Sequence, residues 1–123
     1  MSEAAADGHR PLIPQPKTTA EDLRAALVQI APNQVAAFDA ERTTAVEAAR
    51  SQVDAAPMRR FLRRWALAVA IERVPARAAR LSELEARAGQ VEDLAEGRAI
   101  AAEVAAIHAQ AAAEAGVDGR TAE

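Results

Sequence analysis

A chain of 123 residues with a formal charge of −3 and no cysteine fits one domain and excludes disulfides, thiolate metal sites and a cysteine nucleophile. No stretch approaches the roughly 18 uninterrupted apolar residues of a membrane span. The opening MSEAAADGHRPLIPQPK lacks the basic start and apolar run of a secretory signal, so the expectation is a cytoplasmic protein without a membrane partner.

Residues 1–17 carry Pro11, Pro14 and Pro16 and read as an extended, disordered tail. The first helix is announced by TTAEDLRAALVQI, where Thr18 and Glu21 have capping-box spacing and Leu23, Ala26, Leu27 and Ile30 share a face. Pro32 ends it. A second helix is expected over 33–53, with Val35, Phe38, Ala45, Val46, Ala49 and Val53 within an arc of about 100°. Asp54 is placed to cap a third helix, whose first turn tolerates Pro57 and whose inner face holds Met58, Phe61, Leu62, Trp65 and Val69. Val74-Pro75 interrupts the chain, and a fourth helix runs from Pro75 to a stop at Gly89. The last helix spans about 92–115 with a break or bend at Gly97 and a narrow stripe of Ile100, Val104, Ile107 and Ala111. Residues 116–123 read as a frayed end. The fold expected is all-α, a compact bundle of four to five helices over 18–115 with a disordered N-terminal tail.

Of the apolar residues 35 are alanine, which loses no rotamer freedom in a helix but buries little area. The remaining 27 make a thin core for a solitary chain, so self-association or a bound protein partner is expected.

Charge is segregated: −3 over 1–54, +6 over 55–80 and −6 over 81–123. The stretch MRRFLRRWALAVAIERVPARAAR (58–80) contains seven arginines and one acid. On its wheel Arg59, Arg60, Arg63 and Arg64 lie opposite the aromatic face for two turns, after which Leu67, Ala70 and Ile71 take that side. The helix should therefore be central in its C-terminal half and exposed and basic at its start. Three fates fit these arginines: neutralisation by the acidic C-terminal helices, capture of an acidic protein, or contact with nucleic-acid phosphate. Nucleic acid ranks last, because the chain is acidic overall and two Phe and one Trp are few for stacking platforms. Arg42 interrupts the second helix's apolar stripe; it is expected either to stack on Trp65 or to snorkel outward. Glu72 is expected to meet an arginine at the rim.

Catalytic constellations do not emerge. His9 and His108 lack ligands at helical spacing, the glycines form no phosphate-cradling loop, and Ser51 and Ser82 have no histidine base by motif. The acids Glu83, Glu85, Glu92, Asp93, Glu96 and Glu103 read as a solvated face. The expectation is a non-enzyme without cofactor or metal.

LRAAL (23–27), AAFDAE (36–41), FLRRWALAVA (61–70) and RAARLSELEARA (77–88) together resemble a group of small actinobacterial helical proteins classed as a domain of unknown function. The resemblance spans about residues 20–115 and implies a bacterial, cytoplasmic, helical protein. It carries no catalytic residues. An antitoxin-like partner role is the expectation for so short an acidic chain. Two faces are candidates for contact: Arg59, Arg60, Arg63 and Arg64, or the stripe Ile100, Val104 and Ile107 docking helix-in-groove. The alternative is a nucleic-acid-binding regulator using the Arg59–Arg64 face.

Overall fold

The computed structural model describes residues 8–117. Five α-helices occupy most of them: α1 (Ala20–Ile30), α2 (Val35–Gln52), α3 (Ala56–Glu72), α4 (Pro75–Ala88) and α5 (Leu94–Ala115), with a 3₁₀ turn at Pro32–Gln34 and no strand among the described residues. The all-α bundle is thus the fold. Helix α3 packs against all four others, whereas α1/α2 and α4/α5 form two antiparallel pairs that meet only through it.

Prolines and capping residues set the boundaries. Thr19 caps α1: its Oγ1 accepts the Asp22 N–H at 3.1 Å and donates to Asp22 Oδ2 at 2.9 Å. The cap thus falls one residue beyond the expected Thr18–Glu21 box, and the shift starts the helix at Ala20, which is buried in phase with Leu23 and Leu27. The N-cap of α3 is Ala55 rather than the expected Asp54, which stands one residue earlier and accepts the Ala56 N–H at 3.0 Å in a local turn. Pro75 opens α4, and Asp93 caps α5 by accepting the Glu96 N–H at 2.8 Å. Helix α5 passes through Gly97 unbroken, with the Gly97 N–H still bonded to the Asp93 carbonyl at 2.9 Å. A break at Gly97 is absent because one glycine lowers helix propensity by only about 1 kcal/mol, which capping and packing offset. Gly116 (φ 72°) ends α5 in the left-handed conformation, and the Val117 N–H closes onto the Ala112 carbonyl.

Val53 departs most from expectation. It takes the left-handed position after α2 (φ 51°, ψ 51°), which turns it off the helix wheel and leaves it 91% exposed instead of completing the apolar stripe. A β-branched residue there is costly, since its Cβ crowds the backbone that glycine would leave open.

The three aromatic rings meet at the α2–α3 contact. Phe38 lies 5.0 Å from Phe61 and edge-on to Trp65 at 5.4 Å, and all three are buried with Leu23, Leu27 and Val69. A smaller cluster of Ala70, Ile71 and Ala111 seals α3 against α5.

The N-terminal tail is not free throughout. Residues 1–7 and 118–123, parts of the expected disordered tail and frayed end, lie outside the described residues. From Leu12 to Gln15 the chain is strapped to α3 and the turn after it. The Leu12 N–H donates to the Arg73 carbonyl (2.7 Å), Arg73 Nη1 to the Ile13 carbonyl (3.3 Å) and Gln15 Nε2 to the Ala66 carbonyl (3.1 Å). Pro11, Pro14 and Pro16 have no N–H to satisfy, and Ile13 packs on the core.

Candidate interaction surfaces

The arginines of 58–80 divide into two populations. Those in the C-terminal half are matched to carboxylates. Glu114 receives Arg73 Nη2 at 2.6 Å and Arg77 Nη2 at 2.8 Å, and Arg77 Nη1 also reaches the Ala70 carbonyl. The side chains of Arg73 and Arg77 are only 10% and 11% exposed. Hydrogen bonding from Arg77 holds the Glu114 carboxyl below its ordinary pKa against the opposite push of burial, with Arg73 adding to the fall. Arg80 binds Glu103 through two bonds and also pairs with Glu83, and Arg87 pairs with Glu96. Arg80 likewise lowers the Glu103 pKa, and Arg24 that of Asp39. Carboxylates so held stay ionised at neutral pH, which suits them to be arginine partners rather than proton donors.

The N-terminal half differs. Arg59, Arg60 and Arg63 are exposed, and no described carboxylate pairs with them. Arg64 pairs through Nε with Glu41 (3.3 Å), and its guanidinium carbon stands 4.7 Å from the Trp65 ring centre. The expected division of α3 into a central C-terminal half and an exposed basic start is observed: Ala70 and Ile71 pack with Ala111 of α5 and with Ala78 and Leu81 of α4, whereas Arg59, Arg60 and Arg63 are exposed.

Two expectations are corrected. Arg42 does not stack on Trp65: its Nη2 reaches Glu21 Oε2 on α1 at 3.5 Å, while the cation over Trp65 is Arg64. The level was right but the azimuth was not. Glu41, one residue earlier and about 100° around the helix, faces α3 and accepts the Trp65 Nε1–H at 3.1 Å. Nor is the α5 stripe a free docking face. Ile100 is 7% exposed, Val104 and Ile107 are half-buried and Ala111 is fully buried. The Arg80–Glu103 and Arg87–Glu96 pairs set an antiparallel register that brings Ile100 level with the buried Leu84 of α4. The stripe therefore completes the bundle.

An open groove of about 380 Å³ runs between α2 and α3, lined by Glu41, Thr44, Ala45, Ala48, Pro57, Arg60, Phe61 and Arg64. Its α3 wall is one edge of the arginine face, since Arg63 and Arg59 follow Arg60 around the helix. The exposed large apolar residues among those described are Leu12, Val28, Val53 and Leu94, which are scattered singly. No group of three or more His, Cys, Asp or Glu residues among those described could hold a metal ion. No described helix is long and apolar enough to cross a membrane. No protein-family model, curated protein or solved structure matches the chain.

Proposed function

We propose that the protein acts without catalysis of its own, by binding a protein whose contact surface is acidic through the arginine face at the start of α3. The observation that carries this reading is the contrast within one helix and its neighbour. Arg64, Arg73, Arg77 and Arg80 are matched to carboxylates, whereas Arg59, Arg60 and Arg63 crowd two turns unmatched, although the chain has an acidic excess. Like charges at such spacings weaken a helix by a few tenths of a kcal/mol per pair, a cost that an acidic partner removes. All three aromatic rings are buried, so the same face offers a nucleic acid no stacking platform. The reading also takes the protein as bacterial and cytoplasmic, supported by arginine-over-lysine usage and the actinobacterial resemblance.

Fluorescence anisotropy with a glutamate-rich helical peptide and with a random-sequence DNA duplex, at matched salt, tests the proposal. The peptide should bind, weaken as salt rises and be lost in Arg59→Glu/Arg60→Glu/Arg63→Glu. Tighter binding of the duplex, lost in the same variant, would establish the nucleic-acid alternative. Binding of neither probe refutes the role of the face.

A further inference from the structure

We infer that the α2–α3 groove is the anchor site for that partner, and that its occupant is an acidic helix presenting one aliphatic side chain flanked by carboxylates one turn apart. The inference rests on the arginine-face reading and adds the chemistry that the partner must carry. The floor of the groove is apolar and mostly small: Ala45, Ala48, Pro57 and the edge of Phe61. Alanines at 45 and 48 keep the floor low, and a single aliphatic side chain gains by leaving water there. Charge complementarity selects its neighbours. Arg60 and Arg64 stand four residues apart on one wall, the spacing at which two carboxylates on a second helix face the same way. Arg60 is unmatched by any described carboxylate. Arg64 meets Glu41, which also lines the groove, through Nε, its two Nη groups have no hydrogen-bonded carboxylate among the described residues, and its guanidinium carbon lies 4.7 Å from the Trp65 ring centre.

Val53 projects 91% exposed from a left-handed backbone at the turn between α2 and α3. Its left-handed backbone closes α2, with the Val53 N–H bonded to the Arg50 carbonyl and the Asp54 N–H to the Ala49 carbonyl, so the turn is fixed beside the groove without lining it.

The probe is a peptide of about 16 residues with glutamates at i and i+4 and a leucine at i+3, so that all three share one helix face, compared with the same peptide carrying alanine in place of the leucine. Wild-type protein should bind the leucine peptide about tenfold more tightly. Ala48→Phe, which fills the groove, should erase that preference while keeping the salt-sensitive binding of the alanine peptide, with circular dichroism confirming the fold. Equal affinity for both peptides overturns the groove and leaves the arginine face standing. A leucine preference that survives in Ala48→Phe places the anchor elsewhere and also overturns it. Failure of both peptides to bind overturns the face and the groove together.

Discussion

Glu114→Ala should be the most damaging single substitution of a charged residue. Glu114 accepts from Arg73 Nη2 (2.6 Å), Arg77 Nη1 and Nη2 (3.0 and 2.8 Å) and Gln110 Nε2 (3.4 Å). Removing it leaves two guanidinium groups about nine-tenths buried, with only the Ile13 and Ala70 carbonyls as partners. Breaking a buried pair from one side costs about 3–5 kcal/mol. The Glu114 side chain is itself 28% exposed, so water can reach the vacated site and the cost falls to about 2–4 kcal/mol. For a domain of this size that lowers Tm by on the order of 10 °C or more. The effect depends on pH with a definite sign. A carboxyl whose folded pKa is depressed contributes stability above its ordinary value, and that contribution is lost as pH falls through the folded value. Melts followed by far-ultraviolet circular dichroism should therefore show wild type and Glu114→Ala far apart at pH 7 and converging in the acid range. A Glu114→Ala melt within about 1 °C of wild type at pH 7 would refute the reasoning.

Other substitutions check the remaining architecture. Thr19→Ala should cost about 1 kcal/mol in urea denaturation, whereas Thr18→Ala should be close to neutral, because only Thr19 receives the Asp22 N–H. Val53→Gly should stabilise the isolated protein by about 0.5–1 kcal/mol in the same assay by relieving the left-handed valine. Trp65 is the single tryptophan, and Arg64→Ala should move its emission to longer wavelength by opening the ring face to water. Arg42→Ala, in contrast, should leave that emission unchanged, because Arg42 points to Glu21.

Local punctuation made most of the fold legible in the sequence. Pro32, Pro57, Pro75 and Gly89 each lie where a helix starts or stops, and the aromatic stripe of the third helix faces the core as its periodicity requires. Signals that depend on a single residue's azimuth were less secure. Arg42 and Glu41 are neighbours in the chain, but the 100° step between them decides which one meets Trp65. Partnerships across long separations were not legible at all. Arg73 and Glu114 are 41 residues apart, and nothing local marks either as buried. The one available signal was the charge segregation, which anticipated that basic residues would fold against acidic C-terminal helices. It could not say that this neutralisation would stop short of Arg59, Arg60 and Arg63, because that depends on where α4 and α5 cross α3.

The most direct test of the central claim is an arginine side-chain ¹H–¹⁵N spectrum, recorded while the glutamate-rich helical peptide is titrated in. The Nε–H resonances of Arg59, Arg60 and Arg63 should move together and saturate, while those of Arg73, Arg77 and Arg80, already engaged by Glu114 and Glu103, stay in place. Movement confined to Arg73, Arg77 and Arg80, or no movement at any of the six, would contradict it.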